Sequence, residues 1–185
     1  MVKEIIANNE ERLEKSIAAL RREFGSLRAG RATPSLLDKV MVDYYGTPTP
    51  VNQVAKVSVP EPRMIVIQPW EKSLIHDIEL AIMKSDLGLS PNSDGTAIRL
   101  SIPQLTQERR QELVKTVGKK AEEAKVAIRN IRRDGNESVK KLEKAKEITE
   151  DESKKAQEDI QKIVDKYIKT VDTLKEAKDK EIMEV

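Results

Sequence analysis

Residues 104–148 read QLTQERRQELVKTVGKKAEEAKVAIRNIRRDGNESVKKLEKAKEI, and the fold turns on how that stretch is periodic. Val114, Val117, Ala121, Ala124, Ile128, Ile131, Gly135, Ser138, Leu142 and Ala145 alternate steps of three and four without a slip. That is the spacing of one helical face. At ~1.5 Å per residue, a helix over roughly 106–146 is about 60 Å long. Gly135 falls in the seam. A mid-helix glycine costs about 1 kcal/mol against alanine, so Asp134-Gly135-Asn136 also reads as a turn. The phase survives across it, and a small seam residue lets helices approach closely, so the spacing predicts one unbroken helix.

Two further helices flank this one. Upstream, Ile6, Leu13, Ile17, Leu20, Phe24 and Leu27 keep one face and Gly30 offers a stop, predicting a helix over 2–29. Downstream, Thr149 with Glu152 makes a capping box, and Glu150 and Asp151 place negative charge in a first turn. The stripe Ala156, Ile160, Ile163, Val164, Tyr167, Val171 and Leu174 then runs toward the C-terminus. A junction of a few residues near Ile148 sets the second and third helices antiparallel. Three helices with one apolar stripe each close as a three-helix bundle with heptad-like seams.

All eight prolines, at 34, 48, 50, 60, 62, 69, 91 and 103, lie between the first two helices. Proline lacks an N–H and clashes inside helices, so residues 31–103 form a different kind of structure. Lys39 to Tyr44, Lys56 to Val59, Met64 to Ile67 and Ala97 to Ile102 read as strands. Leu74, Ile75, Ile78, Ala81 and Ile82 set the face of one helix. The expected fold is α+β: a long antiparallel three-helix bundle from 1–30 and 104–185, with a small β/α/β domain inserted at 31–103. Gly30, Arg31, Pro103 and Gln104 mark the two chain crossings. Paired crossings serve either as a hinge axis or as the seam of a rigid interface, and the residues alone are compatible with both.

Composition excludes most catalytic chemistries. The 185 residues contain no cysteine and one histidine, His76, so thiolate nucleophiles and Cys- or His-pair metal sites are out. Gly118-Lys119-Lys120 lacks the rest of a phosphate-cradling loop, so no nucleotide hydrolysis is expected. Carboxylate pairs sit on charged helix faces, without the burial that shifts a pKa usefully. His76 reads as structural or solvated, and Trp70 as a packing residue, with surface recognition as the alternative. No apolar run approaches the ~18 residues of a membrane span, and MVKEIIANNEER lacks the apolar core of a signal peptide. A soluble, cytosolic protein is expected.

Charge is uneven although the net is only +2. Residues 104–148 hold thirteen Lys and Arg against eight Asp and Glu, whereas 149–185 hold eight against eleven. Ten of the twelve arginines lie at 12, 21, 22, 28, 31, 109, 110, 129, 132 and 133, and none follows. The guanidinium fork suits bidentate phosphate contacts, where lysine would suffice for a solvated face. At ~100° per residue, Arg129, Arg132 and Arg133 lie within about 50° of one direction, and Ile128 and Ile131 point roughly 100–160° away. Lys125, Asn136 and Lys140 extend this stripe, and Arg28 and Arg31 are expected near Arg109 and Arg110. A helix-borne basic trail is an electrostatic footprint for double-helical nucleic acid. An ordinary solvated face has the same pattern.

Arg28-Ala29-Gly30-Arg31-Ala32, Asp43-Tyr44-Tyr45-Gly46-Thr47-Pro48-Thr49-Pro50-Val51-Asn52-Gln53, Ser85-Asp86-Leu87-Gly88-Leu89, Leu105-Thr106-Gln107-Glu108-Arg109-Arg110 and Ile128-Arg129-Asn130-Ile131-Arg132-Arg133 closely resemble the motifs of bacterial ribosome recycling factors, in order and over the whole chain. The resemblance implies a bundle domain and a smaller domain hinged into a tRNA-like shape. It implies binding to the post-termination ribosome and, with elongation factor G and its GTP, splitting into subunits. Arg132, with Arg129 and Arg133, would then contact large-subunit ribosomal RNA, with Arg28, Arg31 and Arg110 on the same side. The small domain would meet elongation factor G. The implied factor is a cytoplasmic monomer that needs no cofactor of its own, touches no membrane and is no enzyme. Two departures stand out: Gln107 where an acidic residue is common, and Gly135 where a better helix former is, which would soften the long helix. The rival readings are a coiled-coil adaptor with a basic face, and an RNA-acting enzyme whose nucleophile or acid–base pair is not visible.

Overall fold

The computed structural model describes residues 1–27 and 30–184. In chain order the elements are α1 (Val2–Ser26), β1 (Met41–Tyr44), β2 (Thr47–Pro50), the one-turn α2 (Val51–Val54), β3 (Ala55–Glu61), β4 (Met64–Pro69), α3 (Ile75–Lys84), β5 (Pro91–Ser93), β6 (Ile98–Ser101), α4 (Gln107–Lys144) and α5 (Glu150–Met183). The chain is α+β, and its contacts gather into two units, Met1–Ala29 with Gln107–Val185, and Gly30–Thr106.

In the first unit α1, α4 and α5 pack pairwise. Their facing stripes bury Leu13, Ile17, Leu20 and Phe24 of α1, Leu113, Val117, Ala121, Ile128, Ile131 and Val139 of α4, and Ala156, Ile160, Val164, Val171 and Ile182 of α5. The helix α4 runs unbroken through Gly135, and the reason lies across the seam. A Cβ on Gly135 would stand 2.6 Å from Asn9 Oδ1 and 2.9 Å from its Cγ, so the missing side chain is the space the buried Asn9 occupies. The seam differs from expectation at both ends: Leu113 and Val139 are buried, while Val114 is half-buried and Ser138 exposed. A straight helix drifts about 20° per heptad against a strict 3.5-residue repeat, which carries the stripe onto the neighbouring positions.

The junction between α4 and α5 is a Schellman turn. Glu147 N–H donates to Leu142 O (3.0 Å) and Lys146 N–H to Glu143 O (2.9 Å), with Lys146 at φ +60°. Thr149 then caps α5, its Oγ1 accepting from Glu152 N–H at 3.1 Å. Thr149→Ala should cost about 1 kcal/mol. In a chain of this size that is a fall of roughly 2–4 °C in Tm, readable by circular dichroism.

The helix α1 ends at Ser26, before the predicted stop at Gly30, with Leu27 in extended conformation. Both Gly30 and Arg31 belong to the second unit, as do Pro103 and Gln104. Ile102 N–H donates to Arg63 O (2.8 Å), and Leu105 lies against Gly30, which has φ +75°. These contacts hold residues 102–105 to the second unit.

That unit has a four-stranded antiparallel sheet ordered β3-β4-β6-β5 and a separate hairpin, β1-β2. The apolar run of β4 becomes a central strand, with Ile65 opposite Leu100 and Ile67 opposite Ile98. Helix α3 brings Ile78 and Ile82 onto the core these strands share with Val42, Val51 and Val54. Two strands were not expected. One is β2, whose Pro48 and Pro50 argue against a strand; it is tolerated because β2 pairs on one side only, with β1. The other is β5, three residues against β6. The β5-β6 loop is held by Asp94. Its Oδ1 accepts from Thr96 N–H (2.9 Å) and Ala97 N–H (2.9 Å), and Arg99 Nη1 donates to Oδ2 at 2.7 Å. Those backbone donors first, then Arg99, hold its carboxyl well below the usual carboxylate range.

Candidate nucleic-acid interface

Because Ile128 and Ile131 are locked into the core, the three arginines beside them are forced outward. Arg129, Asn130, Arg132, Arg133, Asn136, Glu137 and Lys140 line a shallow groove on α4, four cations to one carboxylate. Each guanidinium is oriented by a contact. Arg132 Nη1 donates to Gln161 Oε1 of α5 (2.7 Å), and Gln161 Nε2 donates in turn to Asp165 Oδ1 (2.7 Å). Arg133 Nη2 donates to Asn130 Oδ1 (2.9 Å), and Arg129 Nη1 pairs with Glu122 Oε1 (3.2 Å). A guanidinium has five N–H donors, so most remain for an incoming anion. The Arg129–Glu122 pair is exposed on both sides, worth about 0–1 kcal/mol, and is readily exchanged for a phosphate.

Not every residue expected here is here. Arg110 is 7% exposed, and its Nη1 donates to Met183 O (3.2 Å) and Glu184 O (3.0 Å). Its guanidinium turns inward and satisfies carbonyls left open at the end of α5, where a cation also opposes the helix macrodipole. Lys178 does the same for α1, its Nζ donating to Leu27 O at 3.0 Å. Lys125 is drawn out of the stripe by Asp172, 2.6 Å away. Arg31 is exposed in the second unit rather than ending α1, Arg109 pairs with Glu112 at 3.0 Å, and Arg28 lies outside the described residues.

Arg110→Ala removes a buried cation and strands carbonyls that had a charged donor. The expected cost is about 1.5–3 kcal/mol. That corresponds to a Tm lower by roughly 3–10 °C. The salt dependence of RNA binding should stay as in the parent chain. A changed salt slope with unchanged Tm would return Arg110 to the interface.

Gln161 was not legible as Arg132's partner, since nothing in the sequence relates a glutamine on one helix to an arginine 29 residues earlier on another. Among the described residues there is no group of three or more His, Cys, Asp or Glu placed to hold a metal ion. Among the described residues, no helix is long and apolar enough to cross a membrane.

An arginine-lined helical bundle with an inserted β-rich unit defines a two-unit α+β protein whose most concentrated chemistry is a cationic face. A family model described as ribosome recycling factor matches residues 20–183. The chain is 62% identical over 185 residues to the ribosome-recycling factor of Desulforamulus reducens and 60% identical over 185 residues to that of Syntrophomonas wolfei, with all of each chain covered. It belongs to the ribosome recycling factor family.

Solved structures agree. A solution structure of a ribosome recycling factor matches with a TM-score of 0.80 at 41% identity, covering 100% of this chain and 98% of that one. A second, the Thermus thermophilus factor in models with Escherichia coli elongation factor G on the E. coli post-termination complex, matches with a TM-score of 0.65 at 45% identity over the whole of both chains.

Proposed function

We propose that the chain binds the post-termination ribosome and, together with elongation factor G and GTP, separates it into subunits. The observation that carries this is the full-length match, at about 60% identity, to proteins named for ribosome recycling. A 45% identical relative has been placed with elongation factor G on a post-termination complex, which favours the same partners here. Large-subunit ribosomal RNA is the ligand of the α4 groove, with Arg132, Arg129 and Arg133 as the phosphate contacts and Lys140 beside them. The insertion is a second domain, and the paired crossings next to Gly30, Arg31, Pro103 and Gln104 are its hinge. Its contact is elongation factor G, where GTP is hydrolysed. The chain is a cytoplasmic monomer with no cofactor and no reaction of its own.

The mechanism follows from charge and stiffness. An unbroken 38-residue helix anchored by arginines gives a rigid attachment to RNA. A motor protein displacing the second domain then loads the contacts between subunits instead of bending the anchor. The test is light scattering of post-termination ribosomes with the chain, elongation factor G and GTP, each omitted in turn. Loss of the 70S signal only in the complete mixture is expected. Splitting by elongation factor G and GTP without the chain, or none in the complete mixture despite binding, would refute the proposal.

A further inference from the structure

Trp70 is 69% exposed, contrary to its reading as a packing residue, and Tyr45 is 80% exposed. Trp and Tyr are among the residues enriched where binding energy concentrates. Both sit beside one carboxylate. Tyr44 OH donates to Glu71 Oε1 (3.2 Å) and Tyr45 OH to Glu71 Oε2 (3.0 Å), and the two tyrosine rings meet edge to face with centroids 4.6 Å apart. Tyr44, Thr49, Gln53, Trp70 and Glu71 line one cleft.

The local sequence builds this arrangement. Tyr45 and Gly46 are the central residues of the β1-β2 hairpin turn, at φ +50° and +83°, both in the left-handed region. Asp43 Oδ1 accepts from Gly46 N–H at 2.9 Å. A tyrosine held at positive φ is disfavoured, and here that conformation delivers its hydroxyl to Glu71. Trp70 N–H donates to Val54 O at 3.1 Å, fixing its backbone beside the cleft. The hydrogen bond to Glu71, and then its charge, raise both tyrosines above their ordinary pKa.

We propose that this cleft seats an arginine side chain of a protein partner, stacked on Trp70 and paired with Glu71. A guanidinium is planar, weakly hydrated and stacks on aromatic faces, and each Glu71 oxygen keeps a lone pair after accepting from a tyrosine. A nucleic acid is disfavoured, because its phosphates would meet Glu71. Of the residues that line the cleft, Glu71 alone is charged.

The sole tryptophan reports on its own site. At low salt, a tetra-arginine peptide should change Trp70 emission saturably, and more strongly than tetra-lysine. Glu71→Gln should weaken that response about threefold or more. Single-stranded oligouridylate should leave the emission unchanged. Should Glu71→Gln disturb the fold by circular dichroism, Trp70→Leu at an exposed ring carries the same test by the anisotropy of a labelled tetra-arginine peptide. No emission change with tetra-arginine, an undiminished response in the variant, or a response to oligouridylate would each overturn the proposal.

Discussion

Arg132→Ala is expected to lower affinity for the large ribosomal subunit by about tenfold or more while leaving the folded chain intact. A hydrogen bond from a charged group contributes about 1.5–3 kcal/mol, and 1.4 kcal/mol is a factor of ten. The side chain is exposed and its one described partner, Gln161, keeps its own bond to Asp165, so its loss strands nothing buried. Alanine is preferable to glycine, which would add about 1 kcal/mol of helix destabilisation. The log–log slope of affinity against salt should fall in magnitude by about one, as for one lost phosphate contact. Filter binding across a salt series, with Tm measured alongside, separates this from a folding defect. Unchanged affinity and slope would place the RNA contact elsewhere.

The second large effect concerns the bundle core. Gly135→Ala alone should destabilise the chain although alanine is the better helix former, because the new Cβ falls within 3.0 Å of three Asn9 atoms. Asn9 Oδ1 is itself buried without a hydrogen-bond partner, and only Nδ2 is engaged, donating to Ile5 O at 3.3 Å. Asn9→Ala with Gly135→Ala therefore removes a stranded acceptor, at about 1–3 kcal/mol, and gains about 1 kcal/mol of helix propensity. The double variant should be more stable than the parent, with a coupling energy of about 1 kcal/mol or more in a denaturant double-mutant cycle. Additive effects would show that Gly135 is not held open for Asn9.

This pair also shows where sequence reading stopped. The three helices were legible because a 3.6-residue period is written locally, and the outward direction of Arg129, Arg132 and Arg133 followed from the buried Ile128 and Ile131 beside them. Gly135 was legible as a seam residue, but the Asn9 opposite was not, since the register between two helices is set by packing along their whole length. The inward turn of Arg110 was not legible for a similar reason. Its position near the start of α4 looked equivalent to the other arginines, and only the length of α5, which brings Met183 and Glu184 to the same end, turns it inward. Trp70 was misread because buried is the commoner state of a lone tryptophan beside apolar runs. Its exposure follows from β4 ending at Pro69 and turning toward α3.

The absence of cysteine makes the central claim directly measurable, because one introduced thiol is a unique attachment point for a hydroxyl-radical source. Lys140→Cys places the source in the α4 groove, and Lys169→Cys places it on an exposed stretch of α5 without arginines. With either variant bound to post-termination ribosomes, the account predicts strong, localised cleavage of large-subunit RNA from position 140 and weaker or different cleavage from position 169. Equal cleavage from both positions, or none from position 140 while the chain stays bound, would contradict the assignment of the arginine groove as the ribosomal RNA contact.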